Sequence, residues 1–369
     1  MRKLQTEYTL EIPAHPSIYE PKERNLKITY TIPKTGIDTK TGILFFVNGY
    51  GADMENLYYK KFRKQIADKD NMIVIQTKYF GHEFMGDIKE IKDIEFLDNK
   101  ISKNKIHEII SKSNSLNEII MKSSHLSKKF IIKSKMDEDK TNFNDMSLMQ
   151  AIDVLTAFYA LKIILKENNI EFNNNKKILF GTSHGAYISL LVNALTQGKV
   201  FDLVIDNGSY ITPAYAHINK RYVYGNVNGS LLMKEFDYMI NKIKIDKEII
   251  DLRKVYKQIK NENIIISING QKDNFTKIEE KFDFVKYNNN HFLYPITENK
   301  VNSVFKSEKH ADSELYKLYF WVIKLFNLDN NSKNEQFSEI NTSYAKYKIT
   351  IENGFPKLNI SNDVMKIYN

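Results

Sequence analysis

Residues 176–195 read KKILFGTSHGAYISLLVNAL, and the reading of this stretch decides the fold. An apolar run, Ile178 to Phe180, ends at Gly181, and Ser183 stands between two glycines. A segment with Ala186, Leu190, Leu191 and Ala194 on one helical face begins at once. This order predicts a strand, a sharp turn and a helix, with Ser183 at the apex. Such a turn strains the backbone of its central residue and leaves no room for side chains two positions away, which accounts for Gly181 and Gly185. The Ser183 hydroxyl would then stand exposed above a sheet as a nucleophile. The plainer alternative is a tight turn whose serine caps the helix.

The chain has 369 residues, 42% of them hydrophobic, enough to bury one large core or two modest ones. It contains no cysteine, which excludes disulfides, thiolate catalysis and cysteine metal sites. The opening MRKLQTEYTLEIP lacks the apolar stretch of a signal peptide, and no segment reads as a membrane span, so a cytoplasmic setting is expected. Lys and Arg number 54 against 45 Asp and Glu, a formal charge of +9. The lysines are spread along the chain with no Arg-rich tract, which describes a solvated surface and argues against a nucleic-acid partner. The surplus would still favour an anionic substrate at a pocket mouth. The eight histidines are scattered and form no paired-histidine helix motif, so neither a metal nor a cofactor is expected.

Working outward from the central stretch, LQTEYTLEI and NLKITYTI have strand character and are separated by Pro13, Pro16 and Pro21; they predict an antiparallel pair at a sheet edge. GILFFV reads as a strand buried on both faces, ending at Asn48-Gly49-Tyr50-Gly51. A helix over Met54 to Ala67 and a strand from Met72 to Gln76 make the crossover that a parallel sheet needs. From 82 to about 140 the chain turns polar, with helix-spaced pairs such as Ile106, Ile109 and Ile110, and predicts a helical insertion near the site, either a lid or a decoration. A long helix from Ser147 to Lys166, capped by Asp145 or Ser147, leads back to the Ser183 turn. FDLVID is the next strand. The segment 209–261 reads as a second insertion, with helical spacing in LLMKEFDYMI and EIIDLRKVYKQI. ENIIISINGQKD is a strand and turn, KVNSVF a strand candidate before His310, and SELYKLYFWVIKLF an amphipathic helix. Residues 331–369 are expected to be a linker and a small β appendage around Asn353-Gly354, beside a main domain over 1–330.

The order strand, serine turn, helix, strand, acid-bearing strand end, then histidine before a final helix resembles the α/β-hydrolase superfamily over roughly residues 40 to 325. The resemblance implies an α/β fold with a mostly parallel sheet flanked by helices, and a triad running serine, acid, histidine in chain order. The matching positions are Ser183, Asp273 and His310. Asp206, at the end of the preceding strand, is the alternative acid, and His291 the other histidine in chain order. VNGYGAD resembles the family's His-Gly loop with Asn48 in place of the histidine. There Gly49 and Gly51 shape the loop, and Tyr50 and His184 supply the two N–H groups of an oxyanion hole.

Through NGYGAD, NDMSLMQAID and GTSHGA the chain is also similar to a bacterial hydrolase-like family linked to surface-glycan and flagellar-glycosylation genes. That resemblance implies an acyl ester substrate, a carbohydrate O-acetyl ester in its simplest form, cleaved through an acyl-enzyme. An O-acyltransferase, a serine peptidase and a catalytically inactive binding protein of the same fold remain the alternatives. The sequence leaves the oligomeric state open.

Overall fold

The computed structural model describes residues 6–86, 88–213, 221–326 and 335–361. β1 (Glu7–Pro13) and β2 (Asn25–Thr31) form the expected antiparallel pair. β3 (Gly42–Val47), α1 (Leu57–Asp70) and β4 (Met72–Lys78) make the parallel crossover. Helix α1 starts later than the apolar spacing suggests because the Asn56 side chain accepts the Tyr58 N–H and fixes the cap there. The first insertion contributes β5 (Ile91–Phe96), α2 (Lys103–Ser111), α3 (Leu116–Ser124) and β6 (Lys129–Ser134). α4 (Leu148–Glu167), β7 (Lys177–Thr182), α5 (His184–Leu195) and β8 (Leu203–Asn207) resume the core. β9 (Arg221–Val227), β10 (Ser230–Glu235) and the short α6 (Leu252–Tyr256) belong to the second insertion. Then come β11 (Ile264–Gly270), α7 (Ile278–Val285), β12 (His291–Ile296) and α8 (Leu315–Ile323). β13 (Ile340–Asn341), β14 (Lys346–Glu352) and β15 (Phe355–Ser361) complete the described chain.

Eight strands form one sheet in the order β1-β2-β4-β3-β7-β8-β11-β12. Pairing is antiparallel from β1 through β4 and parallel from β4 to β12. The alternation of side chains along the central strands builds two cores. Ile43, Phe45 and Val47 of β3 face the layer of α4 and α5, while Leu44 and Phe46 face α1 and α8 through Phe62, Ile66, Leu318 and Tyr319. A strand covered on both faces reads as a continuous apolar run, which is why GILFFV was legible. Among the described residues α4 is the one helix long and apolar enough to cross a membrane, yet most of it is buried inside the protein. Asp145 caps α4, its carboxylate accepting the Met149 N–H at 2.8 Å, whereas Ser147 makes no side-chain cap bond.

Two expectations need correction. The insertions are not simply helical: β5, β6, β10 and β9 pair into a separate four-stranded sheet, with β6 and β10 parallel although about a hundred residues apart. SLLMKE alternates buried and half-buried side chains in this sheet, so pairing with β6 overrides the helical spacing read in LLMKEFDYMI. EIIDLRKVYKQI supplies only the short α6. Residues 214–220, also in that insertion, lie outside the described residues. Second, KVNSVF is not a strand; it holds the end of a 3₁₀ turn and one bridge, Phe305 to Ser313, while the last sheet strand is β12. Pro295 interrupts the strand signal of HFLYPI, and the sheet tolerates it because β12 is an edge. The small β appendage is present as expected, β13, β14 and β15 pairing into a three-stranded sheet; its Ile340, Tyr347, Ile349 and Leu358 join the core that contains α4, and Tyr347 donates to Asp246 at 3.0 Å. The boundary expected at residue 330 lies outside the described residues.

Candidate active site

The site grows from the end of β7. Ser183 sits at φ 53°, ψ −121°, a conformation that costs about 1–3 kcal/mol for a residue with a side chain. It occupies the cap position of α5 without a side-chain cap bond, so helix capping does not explain the serine. The Ser183 N–H donates to Asn207 O at 2.8 Å, tying the turn to β8. A Cβ on Gly181 would lie 2.3 Å from Gly185 O, and one on Gly185 would lie 2.2 Å from Val47 O. These close approaches let α5 descend onto the strand ends, and they are the reason for both glycines.

Three side chains from separate loops meet at the apex. Ser183 Oγ lies 2.7 Å from His310 Nε2, and His310 Nδ1 lies 2.8 Å from Asp273 Oδ2. Asp273 follows β11 in a turn closed by its own N–H to Gly270 O, and its other oxygen accepts the N–H groups of Phe275 at 2.8 Å and Thr276 at 3.2 Å. The carboxylate side chain is fully buried and that of His310 is 16% exposed, so the relay opens outward only at the serine end. The loop bearing His310 is fastened to β8, with Asn207 donating to Ala311 O and Ser313 donating to Asn207.

Asp206, the alternative acid, is not brought to His310. It pairs with Lys281 at 2.9 Å, both side chains fully buried, and accepts from Ser267 Oγ and from the Ser209 N–H and Oγ. Burial alone would raise this carboxyl; Lys281, Ser267 and Ser209 outweigh it and hold it below the usual range. His291 is equally remote from the relay, with Nε2 against Ser267 Oγ at 2.8 Å.

The loop after β3 abuts the serine: a Cβ on Gly49 would be 3.3 Å from Thr182 O and 3.6 Å from Ser183 Cβ. Asn48 is buried and shapes this loop, donating to Ala52 O and accepting from Gln76 Nε2, while its own carbonyl accepts from Tyr79. Gln76 is fixed in turn by the fully buried Arg63, which also binds Glu7. Gly51 has φ +69°, which only glycine adopts without strain. The Tyr50 hydroxyl bonds that of Tyr238, so this loop is tied to the sheet of the two insertions. Glu138 fastens the insertions further, accepting the N–H groups of Asn144 and Met239. His184 opens α5, which makes its N–H one of the unpaired leading donors of a helix. Its ring is buried, with Nε2 on Gln150 Oε1 at 2.7 Å.

Sequence reasoning missed Tyr210, Phe275 and Gln150. The Tyr210 ring stacks on His310 with centroids 5.3 Å apart, and Phe275 packs against the same imidazole at 4.7 Å. Gln150 lies within NDMSLMQAID, but only the fold shows that it holds His184. Among the described residues no group of three or more His, Asp or Glu side chains gathers to hold a metal ion.

Burial pushes His184 and His291 down to about 3. An unfolded histidine takes up a proton near pH 6.5 while these stay neutral, so each withdraws stability as pH falls from about 6.5 to 3, by about 1.4 kcal/mol per pH unit. Asp145, raised by burial to about 6, works with the opposite sign between pH 6 and its unfolded 3.8. We expect urea unfolding between pH 6 and 4 to lose stability about 1.4 kcal/mol per unit more steeply in the wild type than in His291→Gln. Parallel pH curves would show that His291 is not held neutral.

The topology and the turn define the class: this is an α/β-hydrolase fold, with the serine turn after the fifth strand of the parallel-containing sheet and the acid and histidine on later loops. The chain belongs to the family described as "Protein of unknown function (DUF2920)", whose family model matches residues 8–311. A comparison with the curated proteins found no match. Among solved structures, the Pyrococcus horikoshii acylaminoacyl peptidase is 12% identical, with a TM-score of 0.49 over 89% of this chain and 43% of that one. Est1E from Butyrivibrio proteoclasticus is 10% identical, with a TM-score of 0.41 over 86% and 96% of the two chains. A putative hydrolase from Agrobacterium vitis S4 is 11% identical, with a TM-score of 0.44 over 87% and 99%. The chain thus spans less than half the length of the acylaminoacyl peptidases it is similar to.

Proposed function

We propose that this protein is a serine acyl hydrolase that cleaves an O-acyl ester through an acyl-enzyme on Ser183. The observation that carries the reading is the unbroken relay from Ser183 Oγ through His310 to the buried carboxylate of Asp273. A serine hydroxyl is a poor nucleophile until a base takes its proton during attack, and an imidazole whose other nitrogen donates to a carboxylate presents its bare nitrogen for that purpose. Ser183 Oγ attacks the acyl carbon as His310 Nε2 takes its proton. The oxyanion that forms accepts from the N–H groups of Tyr50 and His184. When the carbon–oxygen bond to the alcohol breaks, His310 returns the proton to the departing oxygen. Water repeats the sequence and frees Ser183.

The substrate class rests on the sequence resemblance to glycan-associated hydrolases: an O-acetyl ester on a sugar is the first candidate. The joined insertions support a covered site, since they reach the oxyanion loop through Tyr238 and Tyr50. Such a cover also suits transfer of the acyl group to a second sugar hydroxyl, which becomes favoured where water is excluded.

The test is a fluorophosphonate probe, which needs an activated serine but no knowledge of the substrate. One adduct per chain is expected, in the peptide that carries Ser183. No adduct on the folded protein would remove the hydrolase reading and leave a binding protein. With the adduct in hand, O-acetylated sugars offered with and without a free acceptor sugar separate acetate release from acetyl transfer.

A further inference from the structure

Two aromatic rings pack against the His310 imidazole, and they differ in what else they can meet. Tyr210 is buried, at 5% exposure, whereas Phe275 is 42% exposed. The Phe275 centroid lies 4.7 Å from that of the imidazole and 5.8 Å from that of Tyr210. Its exposure is not slack in the loop. One oxygen of Asp273 accepts the Phe275 N–H at 2.8 Å and the Thr276 N–H at 3.2 Å, and the buried Thr276 hydroxyl donates to Ser209 O at 3.3 Å. The other oxygen of the same carboxylate holds His310, so the ring and the imidazole keep their spacing. A lone exposed apolar side chain is ordinary on any surface. One anchored by the triad carboxylate, against the group that moves the proton, is placed where substrate passes.

Which half of the substrate meets it follows from the proton transfer. The acyl carbon is bonded to Ser183 Oγ, but the departing alcohol oxygen must come within about 3 Å of His310 Nε2 to receive its proton. The skeleton attached to that oxygen then starts within a side chain's reach of the Phe275 ring. The face of an aromatic ring is negative, and it attracts hydrogens that carry partial positive charge. C–H bonds beside oxygen atoms are polarised in that sense. A pyranose presents a face of such C–H groups, while its hydroxyls stay in the water that an exposed ring leaves beside it.

We infer that Phe275 forms the alcohol subsite, a specificity-determining platform on which the sugar ring of the ester lies during acylation. The inference rests on the acyl-enzyme reading above and deepens it by giving the alcohol half a place. As the bond from Ser183 Oγ to the acyl carbon forms, the bond from that carbon to the sugar oxygen breaks. Its electron pair stays on the sugar oxygen, which takes the proton from His310 Nε2, and the sugar leaves Phe275. Water then completes deacylation with the platform empty. In transfer an acceptor sugar would take the same place, since its hydroxyl must give its proton to the same Nε2.

The test uses Phe275→Leu, which keeps apolar bulk beside His310 and removes the flat face, and Phe275→Tyr, which keeps both. The kcat/KM values for methyl tetra-O-acetyl-glucopyranoside, benzyl acetate and ethyl acetate read acylation with one acyl group and three alcohols. The steady rate after the burst of p-nitrophenol from p-nitrophenyl acetate reads deacylation, from which the alcohol has already gone. In Phe275→Leu the loss on the sugar ester is expected to exceed the losses on ethyl acetate and in deacylation about tenfold, the order of one good aromatic contact, with benzyl acetate between. Phe275→Tyr should keep the wild-type pattern. Equal losses on all three esters and in deacylation would make Phe275 a packing residue of the imidazole and overturn the inference. A larger loss on benzyl acetate than on the sugar ester overturns the choice of a sugar. A wild type that takes up the fluorophosphonate but releases no acetate from the sugar ester overturns this inference alone. One that accepts neither the fluorophosphonate nor any ester overturns the acyl-enzyme reading and this inference with it.

Discussion

Ser183→Ala is expected to lower ester turnover on the order of a millionfold, because serine and histidine of such a relay act as one unit and losing either forfeits nearly all they provide together. The fluorophosphonate adduct should vanish with it. Stability should change little, since the hydroxyl makes no cap bond and alanine inherits the same φ of 53°. Ser183→Gly separates the backbone from the chemistry. It removes the strain of about 1–3 kcal/mol that the turn imposes on any side-chain-bearing residue, against a glycine entropy cost of about 1 kcal/mol. The inactive glycine variant should therefore unfold at slightly higher urea than wild type, the signature of a position held strained for function. Turnover persisting in Ser183→Ala, at a level that purification from contaminating esterase does not reduce, would sink the mechanism. A glycine variant clearly less stable than wild type would mean that the turn is not strained as its dihedrals imply.

The residues that proved legible in the sequence are those whose environment is set locally or by chain order. The Ser183 turn needs glycines at fixed offsets because backbone atoms of α5 and of the loop after β3 come within 2.5 Å of where a side chain would start. GILFFV declares its two-sided burial in its own composition. Asp273 and His310 were singled out by the order serine, acid, histidine that the α/β-hydrolase resemblance implies. What could not be read depends on partners far away in the chain. β10 is a strand because β6 lies beside it, and nothing in SLLMKE records that neighbour. β12 is hidden by Pro295, which is permitted only because the edge leaves its missing N–H without consequence. Tyr210 stands three residues after β8, but its stacking on His310, a hundred residues later, leaves no mark in the local sequence. Asp206 illustrates the converse: the sequence placed it credibly, and only the buried Lys281 of α7 shows that its charge is already engaged.

That engagement separates the two aspartates by experiment. Asp273→Asn should reduce turnover by about 10⁴-fold with the fold retained, because the amide, with one side turned to the Phe275 and Thr276 N–H groups, presents an NH₂ to His310 and forces the wrong tautomer. Nε2 would then carry the proton and could no longer accept that of Ser183. Asp206→Asn should do the opposite. It leaves the Lys281 ammonium buried with no counter-charge, which costs about 3–5 kcal/mol, while the contacts among Ser183, His310 and Asp273 are untouched. Urea unfolding would register that loss, and turnover per folded molecule would fall far less than in Asp273→Asn. Combining Asp206→Asn with Lys281→Met should restore much of the stability, since removing both charges is far cheaper than stranding one. Equal activity losses in Asp273→Asn and Asp206→Asn at equal folded fraction would mean that His310 draws on both carboxylates, and the assignment of a single acid would fall.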